Sequence, residues 1–177
     1  RPMVSSYSKV RCHVVNFMDL DKNHLLFDDV SDVVCCVGTT MKQAKTREQF
    51  QIVDHYIPKV VARIAKDKGV GSYSLVSSLG AKASSRSFYL KVKGTIEDDL
   101  KKVGFERLLI YRPSLLLGKR IPTRFAEVMM EQFFKLFFWI IPKKYHPTDA
   151  NALAQLMTSH LSDANAGVHI FESTMIQ

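Results

Sequence analysis

Cysteine is scarce: the chain holds three in 177 residues, and two of them are neighbours, Cys35 and Cys36. That count excludes a disulfide framework. With no second pair at ligand spacing it also argues against zinc, so no metal site is expected. Reduced, buried thiols are expected instead. Carboxylates are short too. Asp and Glu number 17 against 25 Lys and Arg, for a net charge of +8. Such an excess suits nucleic acid or an anionic membrane. The cations, however, are spread along the chain and accompany no nucleic-acid-binding motif, so no nucleic-acid partner is expected. A pocket for a polyanionic cofactor needs only a few of them. No run reaches the ~20 apolar residues of a membrane span, and no secretory signal is visible. A cytoplasmic location is expected. Finally, no G-x-G-x-x-G turn precedes a helix anywhere, so the phosphate-cradling turn of dinucleotide-binding sheets is missing from this stretch.

What is present builds a core: 46% of residues are hydrophobic and 24% charged, in a length that suits one domain. The pattern alternates. Residues 10–15 (VRCHVV) are short and β-branched and read as a strand, and 17–27 as a short helix. The apolar run 33–37 (VVCCV) suits a strand buried on both faces. Residues 46–68 form the clearest helix, opened by a Thr46/Gln49 capping box and carried by Phe50, Val53, Ile57, Val60, Val61 and Ile64 at helical spacing. A strand follows over 72–77, a helix over 85–103 with Gly104 past its end, and a strand over 105–111. A third long helix is expected over 123–139. A fourth, capped by Thr148 or Asp149, runs to about Leu161, and a last strand covers 168–171. Strands alternating with long helices indicate an α/β fold with a doubly wound parallel sheet, Rossmann-like.

Ligands in such sheets sit at the carboxyl ends of the strands. Three of those ends carry Gly38-Thr39-Thr40, Ser77-Ser78 and Arg112-Pro113-Ser114. The helix over 85–103 adds Tyr89 and Lys93, one turn apart on one face. A phenol has a reference pKa of ~10 and is a poor acid or base at neutral pH. A cation one turn away favours its ionised form, and a nearby serine hydroxyl can hold a carbonyl. Proton donor, tuner and orienting group together suit hydride transfer from a nicotinamide with protonation of the carbonyl oxygen. The Tyr-x-x-x-Lys spacing alone is a weak signal; Ser78, eleven residues upstream at a strand end, strengthens it.

The stretch from Ser77 (SSLGA), the run 88–94 (FYLKVKG), Glu97 and Tyr111-Arg112-Pro113-Ser114 resemble the Tat-interacting-protein family of atypical short-chain dehydrogenase/reductases. Residues 34–40 (VCCVGTT), Lys45 and the Phe50-to-Asp54 segment are similar to the same family's middle strand and helix. The resemblance covers about Val10 to Leu161. It implies Tyr89 as catalytic acid/base, Lys93 as its partner on the nicotinamide ribose, and Ser78 as the carbonyl-orienting serine, with Ser77 the alternative. It implies Gly38, Thr39 and Thr40 on the adenosine side, and Arg112, Pro113 and Ser114 about the nicotinamide. Arg1 would meet a 2′-phosphate, which favours NADP over NAD, and Asn16 would stand near the adenine, where relatives often carry aspartate. His146 reads as structural or substrate-lining.

By the same resemblance the chain, which starts at Arg1 rather than Met, is a partial domain over 1–177 that lacks the first β-α-β segment. Residues 114–160 would form its substrate-side lobe. Alone it is expected to fold poorly, bind NADP weakly and expose the strand at Val33 as an edge. The apolar stretch 133–141 (FFKLFFWII) reads as the core-facing end of a helix. A substrate mouth, a dimer patch or, with the lysines out to 144, a peripheral membrane contact are its alternatives; the last would put the protein at a mitochondrial or other membrane surface. The expected function is NADPH-dependent reduction of a small carbonyl substrate. The alternative is an NADP(H)-sensing regulator that binds protein partners with little turnover.

Overall fold

The computed structural model describes residues 9–117, 142–163 and 165–176. Arg1, the helix expected over 123–139 and the apolar stretch 133–141 lie outside the described residues. Four parallel strands form the main sheet in the order β1 (Asp32–Cys35), β2 (Ser72–Val76), β3 (Arg107–Arg112) and β6 (Gly167–Glu172). A second, two-residue ladder pairs β4 (Leu116–Leu117) with β5 (Thr148–Asp149). The α/β reading therefore holds. β2 and β3 lie inside the sheet and are almost wholly buried. β1 lies at its edge among the described strands, with Val34 43% exposed, so it is not buried on both faces.

Residues 10–15 are not a strand but irregular chain. β propensity alone does not make a strand, since the ladder needs a partner, and no described strand lies beside this segment. Residues Phe17–Phe27 form a tight 3-10 helix, with Leu20 in the core. The thiol expectation needs correcting as well: Cys35 is buried, but Cys12 and Cys36 are exposed.

The long helix expected over 46–68 is three segments in succession: α2 (Arg47–Gln51), a wide π turn (Ile52–Tyr56) and α3 (Ile57–Asp67). Thr46 caps its start by accepting from the Gln49 N–H. Pro58 explains the widening. It has no N–H to donate to the Asp54 carbonyl, and its ring would press on that carbonyl in a regular helix. α3 and α4 (Phe88–Val103) cover one sheet face, where Ala62, Ala65, Ile96 and Leu100 meet Tyr73, Leu75, Leu108 and Ile110. α4 stops at Gly104, whose φ of 76° is left-handed. α5 (Ala150–Leu161), capped by Asp149, packs Leu153 and Met157 on Leu109 and Tyr111 of the other face.

Arg107 ties the amino end of the sheet to α5. Its guanidinium donates to Asp32 (2.7 Å), to Ser72 and to the carbonyls of His160 and Leu161 at the end of α5. Burial pushes the Asp32 carboxyl up, but hydrogen bonds from Ser31, Ser72 and Arg107 outweigh it, and the group titrates below its ordinary value.

Candidate active site

At the opposite end of the sheet, the segments leaving β1, β2 and β3 surround a cleft of about 380 Å³. The β2–β3 pairing continues past the strands. The Ser77 N–H donates to the Tyr111 carbonyl (2.7 Å) and the Leu79 N–H to the Pro113 carbonyl (2.9 Å). These bonds hold Ser78 beside Pro113 and Ser114, all three lining the cleft. Tyr89 reaches it from the first turn of α4, where its ring meets Phe50 edge-on at 5.7 Å. Lys93 follows one turn later and is buried. Gly38, Thr39 and Thr40 form the wall beyond β1. The structure thus brings Ser77, Ser78, Tyr89, Lys93, Gly38–Thr40, Pro113 and Ser114 to one cleft.

Several of these groups already have protein partners. The Ser77 hydroxyl donates to buried Glu97 at 2.5 Å. Thr40 caps α1 (Met41–Ala44), accepting from the Gln43 N–H at 3.3 Å. The Ser114 hydroxyl donates to the His146 carbonyl and sits 3.1 Å from Thr148 Oγ1. Thr148 is fully buried, and its N–H reaches the Leu115 carbonyl at 2.9 Å. Ser114 therefore anchors the approach to α5, in which His146 is buried.

Two residues expected near the cofactor are not among those lining this cleft. Arg112 does not line the cleft. It grips Glu97 through both Nε and Nη2 (3.0 and 2.5 Å) and reaches Glu172 through Nη1 (2.8 Å), and its bond to Glu97 above all pushes it above its ordinary value. Asn16 is an exposed helix cap that accepts from the Met18 N–H, well suited to that role as an Asx side chain. Arg1 lies outside the described residues.

The sequence reading assigned no role to Asp54. Its carboxylate is 1% exposed and lines the cleft floor, with Oδ1 2.8 Å from Lys93 Nζ and Oδ2 accepting from the Thr39 N–H at 2.8 Å. The signal was there in the spacing. Phe50, Asp54, Ile57 and Val61 share one buried helix face, and a carboxylate on an apolar face demands a partner. Cys36 also lines the cleft. Although the residue as a whole is exposed, desolvation of the thiol, then neighbouring Cys35, pushes it up, which disfavours the reactive thiolate.

Over 129 residues the chain is 35% identical to Protein HTATIP2 of Rattus norvegicus, an alignment that covers 73% of this chain and 53% of that protein. Over 91 residues it is 45% identical to Protein FMP52, mitochondrial, of Candida albicans, covering 51% of this chain and 40% of that one. The chain spans about half the length of the curated relatives it matches. No protein-family model matches it. Among solved structures, the dTDP-4-dehydrorhamnose reductase of Bacillus anthracis str. Ames in complex with NADP superposes with a TM-score of 0.65 over 89% of this chain and 62% of that one. At 14% identity that likeness speaks for the Rossmann-like fold alone. With this parallel sheet and the similarity to both HTATIP2 and FMP52, the chain belongs to the Tat-interacting-protein-like family of atypical short-chain dehydrogenase/reductases.

Proposed function

We propose that the chain forms the catalytic part of an NADPH-dependent oxidoreductase that reduces the carbonyl of a small molecule. The observation that carries this reading is the convergence of Ser78, Tyr89 and Lys93 on one cleft at the carboxyl ends of the strands. Its volume suits a small-molecule site, which spans roughly 300–1,000 Å³. Gly38, without a side chain, leaves the β1 side open to a dinucleotide, and Pro113 wall off the other side with Ser114. When bound, the nicotinamide supplies the hydride. In this reading the Tyr89 phenol protonates the carbonyl oxygen, the Ser78 hydroxyl donates to the same oxygen, and the Lys93 ammonium donates to ribose hydroxyls. The preference for NADP over NAD rests on Arg1. The mitochondrial location of the fungal relative FMP52 favours a mitochondrial over a cytoplasmic location.

The test is a carbonyl panel followed at the nicotinamide absorbance, with the full-length protein and its Tyr89→Phe variant. Loss of about 100- to 10,000-fold in kcat is expected, the usual worth of a positioned acid. NADPH binding with no turnover on any carbonyl would instead support a sensor acting through protein partners.

A further inference from the structure

Among the described residues lining the cleft, Asp54 is the only carboxylate and Lys93 the only cation. Their side chains are 1% and 7% exposed. A buried ion pair of this kind is a weak source of stability, because desolvation offsets the attraction and an apolar pair of similar volume serves a core as well. Its place at the floor of a cleft therefore calls for another reason. Asp54 Oδ2 is taken by the Thr39 N–H, and Oδ1 has no hydrogen-bond partner among the described residues, only the ion-pair contact with Lys93 at 2.8 Å. The carboxylate is carried to this point by the π turn that Pro58 imposes. Gly38 covers the pair: a Cβ there would lie 3.4 Å from Asp54 Oδ1 and 3.7 Å from Lys93 Nζ.

We propose that Asp54 is a positioning residue for Lys93, holding the ammonium aimed at the cleft and coupling it to the Gly38–Thr39 turn. A lysine side chain has several free torsions, and an ammonium in a nearly dry site needs a counter-charge. Asp54 supplies both restraint and charge from a backbone-anchored position. Asp54 holds the ammonium by charge, and the N–H donors of the ammonium remain to serve a ligand. In the oxidoreductase reading, on which this step rests, that ligand is the ribose diol of the nicotinamide half. The adenosine-side turn and the ribose-side lysine are then joined through one carboxylate, so ordering of either prepares the other.

The test is a cycle of Asp54→Asn, Lys93→Met and the double variant in the full-length protein, read by NADPH fluorescence titration and by thermal unfolding without cofactor. Asn keeps an acceptor for the Thr39 N–H and removes only the charge. Asp54→Asn is expected to weaken NADPH binding about tenfold and to have no further effect once Lys93 is Met. If Asp54→Asn does not fold, Asp54→Glu keeps the charge but moves it by one methylene, and positioning predicts weaker binding there too. NADPH affinity within twofold of wild type in the folded Asp54 variant, or an equal loss with and without Lys93, overturns the proposal while leaving the oxidoreductase reading intact. No NADPH binding by the wild-type protein overturns both.

Discussion

A methyl group added at Gly94 should destabilise the protein, although alanine is the better helix former. Gly94 lies inside α4 and is buried. On an exposed helix, Gly→Ala would stabilise by about 1 kcal/mol. Here the chain leaving β2 crosses directly over the helix. A Cβ at 94 would lie 2.2 Å from the Lys82 carbonyl carbon and 2.3 Å from the Ala83 nitrogen. Backbone, unlike the tip of a side chain, cannot swing aside, so the crossing segment must retreat by roughly 1.3–1.8 Å to reach ordinary contact. It is pinned on both sides, by the Lys82 N–H on the Leu90 carbonyl (3.1 Å) before the crossing and by the Ser85 N–H on the Lys82 carbonyl (2.9 Å) after it. Overpacking of this kind costs about 1–3 kcal/mol. A clash with backbone belongs in the upper half of that range, and against the helical gain it leaves a net loss of about 1–2 kcal/mol. For chains of this size that lowers Tm by roughly 2–8 °C. Thermal unfolding followed by circular dichroism measures it. A Tm for Gly94→Ala equal to or above wild type would show that the crossing segment yields freely, and that the glycine is not required by close approach.

Two other changes probe the polar framework. Glu97→Ala strips Arg112 and Ser77 of a buried partner and should cost about 3–5 kcal/mol by denaturant unfolding. Glu172→Ala, at the exposed end of the same network with 43% exposure, should cost less than about 1 kcal/mol; equal costs would refute the assignment of Glu97 as the buried anchor. The Lys59 ammonium, then the His55 ring, hold the Asp99 carboxyl below its ordinary value against the opposing effect of burial. A depressed carboxyl contributes stability above its unfolded value of ~3.9, and that contribution is lost as pH falls through the lower folded value. Tm should therefore fall below about pH 4 and fall less steeply in Asp99→Asn. An unchanged acid slope in that variant would remove Asp99 from the account.

Much of the framework was legible from local pattern. The apolar runs of β2 and β3, the Thr46 and Asp149 caps and the stop at Gly104 each depend on residues within a few positions of one another. The same locality brought Tyr89 and Lys93 to one helical face. Residues 10–15 show where local pattern stops, because β-branched composition describes what a strand tolerates and not whether a neighbour is present to pair with it. Arg112 and Asn16 show a second limit. Both were expected at a cofactor, and both have protein partners: the first across 15 residues to Glu97 and across 60 to Glu172, the second as a cap on the Met18 N–H with a further bond to Asp19.

The sequence by itself determined the alternation of buried strands and amphipathic helices, and with it a parallel sheet whose ligand end could be named, since periodicity and capping are written in neighbouring residues. Only the tertiary structure decided which charges meet. The Asp54 carboxylate finds the Lys93 ammonium from another helix, and Glu97 reaches across to β3 and the end of β2. A buried charge takes whichever partner the packing brings within a few ångströms, and that choice is made by the fold as a whole.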